Sequence, residues 1–408
     1  MRTFINKDKF KYYLFLWHAS FLALTMSMID FNTVFPALVN QLTERKIIFG
    51  LLYGILLGAP KIFNIIFSHF LNNKVYKKKY LVFGILVRAF SFLGMAIFTY
   101  SFGENYPNIV ILSFFIFIFT FSISGGFAGI SYADIIGKLF TSRERGNLYS
   151  TKEFLSAIFA FIGGILITKI FAFESLTFPL NYSIILFVGF VGLIIASVGF
   201  LLIDEPASPI EKRHTSLKVY IQHIPIVLKK DPSFTKFIII ENLTSFSQMA
   251  LPFYIVYAND VFVLSADFIG KFLLFQIAGK ILSNIFWGYL IKRYNSKRVN
   301  ELCILFGAFI PIIAILLSYT TPYYFSFLFF SIGFIISGRR IGFETYLLDI
   351  IPERSRTMYL GIRGSLNIFV AIIPILGGIF IDSFGYNTTF IIVSAIMLTS
   401  FYVLYKNK

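Results

Sequence analysis

Apolar residues run along the chain in twelve long blocks, at 12–39, 47–71, 80–100, 108–138, 146–170, 181–203, 234–257, 266–291, 300–318, 322–350, 357–381 and 387–405. None alternates at period two, as the strands of a lipid-embedded barrel would. Each block is long enough to cross a hydrocarbon core of about 30 Å as a helix. Lipid offers no partner to a free backbone N–H or C=O, so a crossing segment must bond within itself. Most breaks between blocks are short. The exception is 204–233, which begins DEPASPIEKRH. There Leu217, Tyr220, Ile221, Ile224 and Leu228 recur at helical spacing among Lys218, Gln222 and Lys229. That pattern predicts a short helix lying in the membrane interface. Pro225 interrupts it, so an irregular linker is the alternative.

The blocks repeat. KIFNIIF (61–67) returns as KILSNIF (280–286), SGGFAGISYADIIG (124–137) as SGRRIGFETYLLDIIP (337–352), and GGILI (163–167) as GGIFI (377–381). The order is the same in both halves. The chain is therefore expected to be an all-α membrane protein of twelve transmembrane helices in two six-helix bundles. The first bundle takes 1–203, the central loop 204–233, and the second bundle 234–408. Parallel repeats of this kind are related by a pseudo-two-fold axis along the membrane normal.

Composition agrees with lipid as the main solvent. The chain is 57% hydrophobic and 14% charged, where a soluble domain carries about 25% charge. A net charge of +16 does not imply nucleic acid here, because basic loops are what orients helices in a membrane. One side collects Lys7, Lys9 and Lys11, then Lys74 and Lys77 to Lys79, then Lys138, Arg143 and Arg145, and later Lys229, Lys230, Lys292, Arg293, Arg354 and Arg356. The opposite loops carry only Arg45, Lys46 and Lys169. Both termini are thus expected on the cytoplasmic side of the plasma membrane. The start, MRTFINKDKFKYY, lacks a small-residue cleavage pattern and is read as leading into a retained first helix. One cysteine and four scattered histidines give no disulfide and no metal-ligand spacing. No phosphate-binding glycine loop is present, so no cofactor and no ATP drive are expected.

Twelve spans, a 6+6 repeat, a long central loop and cytoplasmic termini resemble the major facilitator superfamily of secondary transporters. Its motif G-x-x-x-D-R-x-G-R-R, after spans two and eight, corresponds here to SHFLNNKVYKKK and GYLIKRYNSKR. Gly288, Arg293, Lys297 and Arg298 fit the second copy, but Asn72 and Lys292 occupy the acidic positions. The resemblance therefore leaves open the acid latch that closes the cytoplasmic ends of neighbouring helices. In span five, FAFIGG places Phe159 and Ala160 where the antiporter motif has Gly and Pro, and FIFTFSISGGFAG in span four lacks the drug-exporter arginine. The subfamily stays unidentified. The resemblance implies alternating access, with the bundles rocking around a midplane site lined by spans one, four, seven and ten, in a monomer.

Charges inside the spans are the candidate chemistry. A mid-membrane ionisable group costs roughly 2.5–3.5 kcal/mol on insertion scales, so it marks either function or a structural pair. Asp30 lies in span one. Glu241 opens the polar run ENLTSFSQ in span seven, with Asn242 and Gln248, shortly before Pro252. Arg339, Arg340 and Glu344 lie in span ten. Arg340 and Glu344 share a face at i, i+4 and are expected to pair. Arg339 has Gly342 beside it, leaving space for its guanidinium to meet a carboxylate or phosphate, or else a pair with Asp30 or Glu241. Arg363, Lys152 and Glu153 lie near span ends and are read as snorkelling groups. His18 is read as packing. Asp134 and Asp349 are expected to meet Arg143, Arg145, Arg354 or Arg356 as a cytoplasmic gate in place of the missing latch acids.

Lys61, Arg88, Lys280, Arg339 and Arg340 outnumber Asp30, Glu241 and Glu344. That excess favours an anionic or zwitterionic solute, moved by a proton gradient through Asp30, Glu241 or Glu344. The alternatives are a lipid flippase on the same fold and a membrane-embedded transferase. A transferase needs paired acids or a His–acid motif at a membrane face, which the short loops lack.

Overall fold

In the computed structural model the chain is described over residues 7–72, 74–207, 217–351, 359, 362–364 and 366–406. Every regular element among these residues is helical. The first block divides into α1 (Lys7–Met28) and α2 (Val34–Leu42). The next five are α3 (Lys46–Asn72), α4 (Lys78–Phe102), α5 (Pro107–Leu139), α6 (Ser142–Ala172) and α7 (Leu180–Leu201). The long loop carries α8 (Leu217–Lys230). The seventh block is α9 (Pro232–Thr244), two 3₁₀ turns at Ser245–Met249 and Leu251–Phe253, and α10 (Tyr254–Phe262). There follow α11 (Asp267–Arg293), α12 (Ser296–Leu317), α13 (Pro322–Ile350), a 3₁₀ turn at Asn367–Ala371, and α14 (Ile373–Tyr405).

Nine helices among the described residues are long and apolar enough to cross a membrane. The last, Ile362–Tyr405, holds two blocks. They join at Gly385, whose φ of 77° only glycine adopts freely. Block one falls outside this set because α1, though 22 residues long, is not apolar enough, and block seven because it is broken into short pieces. The helix starts follow local chemistry. Thr141 and Glu144 form a capping box on α6. The Asp231 carboxylate accepts from Phe234 N at 3.0 Å on α9, and Asn295 Oδ1 accepts from Arg298 N at 2.8 Å on α12. Proline stands in the first turn of α5, α9 and α13.

The expected interface helix forms as α8, with Pro225 inside it. Its apolar residues do not all face lipid, however. Val227 is buried, and Ile224 and Leu228 pack against a core of Phe234, Phe237, Leu347 and Tyr359. Burying that face on α9 and α13 removes more apolar surface from water than half-immersion in headgroups would.

The chain divides into two compact units. The first takes Met1–Glu44, Ile55–Glu211 and Ser265–Leu274, and the second takes Arg45–Gly54, Lys212–Leu264 and Phe275–Lys408. In the first, α1 packs on α6 and α7, and α4 on α5 and α7. Its core is aromatic, with Phe15, Phe92, Phe114, Tyr182 and Phe200 fully buried. In the second, α12 packs on α13 and α14. There the buried Trp287 donates to Phe334 O at 2.9 Å.

The repeated motifs turn out to be close-approach sites. A Cβ on Gly163 of α6 would collide with Ser27 Oγ of α1, and one on Gly377 of α14 would collide with the backbone oxygen of Met249. The two GGI motifs thus seat block five on block one, and block eleven on block seven. Small residues let helix backbones approach without a side chain between them.

Candidate functional site

The polar run of block seven builds a site within the second unit. Helix α9 ends where its side chains compete with the backbone. The Thr244 and Ser245 hydroxyls both donate to the Glu241 carbonyl, at 3.0 and 2.7 Å. The chain then tightens into the two 3₁₀ turns around Pro252. A broken helix exposes backbone oxygens, and in lipid each needs a partner. Arg339 of α13 supplies one, donating to the Glu241 carbonyl at 3.2 Å and to Ser245 Oγ at 3.1 Å. Its guanidinium also lies over the Phe343 ring, 4.7 Å from the centroid.

The Glu241 carboxylate is buried, with only 5% of the residue exposed. Arg363 Nε approaches both carboxylate oxygens, at 2.9 and 3.0 Å, and a terminal nitrogen reaches one at 2.5 Å. This is the bidentate fork geometry of a strong ion pair. Asn367 donates to the same carboxylate at 3.1 Å. The other end of Arg363 holds Glu344 at 2.9 Å, on the exposed side. Asn242 donates to Ile238 O at 2.9 Å and to Asn367 Oδ1 at 3.4 Å. Two amide oxygens, Asn242 Oδ1 and Gln248 Oε1, are buried without a hydrogen-bond partner. Buried acceptors left open are costly and are suited to meeting a donor brought from outside.

Several sequence expectations change here. Glu344 pairs with Arg363 rather than with Arg340, which is exposed. An i, i+4 pair in basic-before-acidic order is the weaker one, and a cross-helix guanidinium competes for the carboxylate. Arg363 is not a snorkelling group but the hub of the cluster. The only hint of it was that Glu241, deep in block seven, needed a cation. Gly342 does not make room for Arg339. Its Cβ position is filled by Asn300 of α12, which donates to Gly342 O at 3.3 Å. Arg339 meets the backbone of Glu241, not its carboxylate.

In the first unit, Asp30 sits in the break between α1 and α2. Its Oδ1 accepts from Asn32 N and Thr33 Oγ1, both at 3.0 Å. This is a side-chain turn that launches α2. His18 is buried, with Nδ1 3.2 Å from Ala196 O, as packing requires.

The acids at the ends of α5 and α13 find other partners than those expected. Asp134 pairs with Lys77 at 2.6 Å and Lys138 at 2.8 Å. Arg145 makes no ion pair among the described residues; the Arg143 side chain, Arg354 and Arg356 lie outside them. Asp349 accepts from the Ser296 hydroxyl at the start of α12. Both acids therefore bind the residue that opens the third span of their own repeat, Lys77 before α4 and Ser296 in α12. Missed entirely from the sequence was Glu205. Its side chain, 2% exposed, pairs with Lys138 at 2.5 Å and accepts the N–H groups of Lys77 and Lys78 at 2.7–2.8 Å. A carboxylate there caps the positive end of α4. Glu205→Ala should lower unfolding stability by about 2–4 kcal/mol, since it leaves the Lys77 and Lys78 N–H groups without their acceptor and takes one of two acids from Lys138. Thermal unfolding of the purified variant checks this; a wild-type melting curve would refute the cap.

Comparison with known proteins agrees with this architecture. Residues 237–408 match the model described as Major Facilitator Superfamily. A protein of Aquifex aeolicus (strain VF5), described as uncharacterised, is 23% identical over 388 residues, 92% of each chain. Among solved structures, a variant of the nucleoside transporter NupG superposes with a TM-score of 0.72 at 13% identity, covering 98% of this chain and 99% of that one. A POT family transporter in complex with 5-aminolevulinic acid gives 0.72 at 11% identity, covering 98% and 95%. A bacterial homologue of the iron transporter ferroportin, in an inward-facing state, gives 0.67 at 13% identity over 99% of both chains. The resemblance read from the sequence agrees with these findings: the second half of the chain matches the superfamily's model, and the chain as a whole is an all-helical integral membrane protein with the fold of these solved transporters.

Proposed function

Taking the Major Facilitator Superfamily fold as the premise, we propose that the protein is a secondary transporter in the cytoplasmic membrane. It moves a small anionic or zwitterionic solute by alternating access, with both termini on the cytoplasmic side and a proton exchanged at Glu241. One observation carries this reading: a single guanidinium, Arg363, shared between a buried carboxylate and an exposed one. A pair serving only to hold helices together needs one acid. With two, protonation of Glu241 releases Arg363 toward Glu344 and loosens the broken helix at its weakest point. Proton uptake then biases a two-state element, as coupling requires. Arg339, bonded to neutral oxygens, keeps its charge uncompensated by contact and suits the solute's negative group. The open oxygens of Asn242 and Gln248 suit its donors.

The test is transport by purified protein in liposomes. Labelled amino acids, small peptides, nucleosides and carboxylates are offered across an imposed pH gradient. One class should accumulate above equilibrium and be released by a protonophore. Glu241→Gln should still exchange that solute but should not concentrate it. If the panel stays outside, or the variant accumulates solute at the wild-type rate, the reading fails.

A further inference from the structure

Among the charges inside the spans that the site above does not use is Arg88. It lies mid-way along α4, a helix long and apolar enough to span the membrane. Arg339 and Arg363 both reach oxygen acceptors. Arg88 reaches none: its only hydrogen-bond acceptor among the described residues is the Met26 sulfur, 3.7 Å from a terminal nitrogen. Thioether sulfur is a weak acceptor. Its Nε is buried with no partner at all. No described carboxylate lies within ion-pair distance of it.

What surrounds the guanidinium is a cradle. The Phe121 ring lies beneath it, 4.3 Å from the centroid to Cζ. Gly125, one turn along α5, brings bare backbone alongside; a Cβ there would sit 3.4 Å from both Cζ and Nε. The group is thus held flat, with its donor edge unsatisfied. Lipid is not what it faces. The exposed large apolar residues of α4 are Phe83, Phe90, Ile97 and Tyr100, 51–62% exposed. At about 100° per residue they point roughly 120–180° away from Arg88. Arg88 itself is half-buried, on another side of the helix.

We propose that Arg88 is the binding residue for an oxyanion, a carboxylate or a phosphate. A planar fork held rigid, without a competing acid, is arranged to receive two anionic oxygens in place of bonds it lacks. A structural arginine in the same place would be given an acceptor, because an unpaired cation at that depth is a standing cost. That the oxyanion belongs to transported cargo rests on the transporter reading; that it binds at Arg88 does not.

The test needs no transport. Detergent-purified protein is melted in sodium chloride, sodium acetate and sodium phosphate at matched ionic strength. Acetate or phosphate should raise the melting temperature above that in chloride, and which of the two does so identifies the oxyanion. Arg88→Lys should shrink that rise, and Arg88→Met should abolish it. In chloride alone, Arg88→Met should melt higher than wild type, because the side chain keeps its packing on Phe121 and sheds an unpaired charge. A lower melting temperature for Arg88→Met would make the residue a structural one and overturn the proposal. So would equal shifts in wild type and variant, or no shift with either anion. If the shifts appear but the liposome panel shows no transport, the site stands and the transporter reading falls.

Discussion

Arg363→Leu should destabilise the protein by about 3–5 kcal/mol, the usual cost of removing one partner from a buried ion pair. Glu241 would be left in a site only 5% exposed, with Asn367 as its one side-chain donor. Glu344 would lose its partner at little cost, because its side chain is 55% exposed and water can solvate it. The asymmetry makes a sharp test. Glu241→Leu with Arg363→Leu should recover most of the loss, since the buried charge goes with its partner. Glu344→Gln with Arg363→Leu should recover none. Unfolding of the three variants in one detergent decides it. If the Glu241 double variant is no better than Arg363→Leu alone, the pair does not hold block seven.

Gly377→Ala should be the most damaging small substitution in the second unit. The added methyl would meet the backbone oxygen of Met249, and backbone in a 3₁₀ turn cannot yield as a side chain can. Overpacking of this kind costs about 1–3 kcal/mol or more. Gly163→Ala, at the corresponding place in the first unit, should be milder and curable. Its methyl would meet the Ser27 hydroxyl, so Ser27→Ala in the same chain should restore stability. Expression level and melting temperature of the three variants read this out. Equal damage at the two glycines, or failure of the Ser27 rescue, would show that the repeat does not mark helix contact.

The repeats themselves were legible without a structure, and so was part of their meaning. Asn284, in the returned KILSNIF, touches the Ser337 hydroxyl of the returned SGRR. Asn64 lies where a Cβ on Gly126 would collide, in the first copies of the same two motifs. Two motifs that recur in step proved to be two faces of one contact. The interruption of block seven was also visible, as Pro252 after a run of hydroxyls and amides. The join of blocks eleven and twelve at Gly385 was not. A single residue of positive φ lets one helix follow another with no polar loop to announce it.

The sequence by itself determined the membrane, the helices, their approximate ends and the doubling of the fold. These follow from hydropathy and backbone bonding, which act within one segment. The partners of the charges were decided only by the tertiary structure. Glu241 and Arg363 stand 122 positions apart, and Asp134 reaches Lys77 across 57. Which of two arginines in span ten reaches the broken helix of block seven depends on the rotation of one helix against another, and a one-residue difference turns a side chain by about 100°. Hydropathy does not carry that angle; the packing of Gly342 on Asn300 and of Gly338 on Trp287 does. In the first unit it is the bare backbone of Gly125 beside Arg88 that lets its guanidinium lie over Phe121.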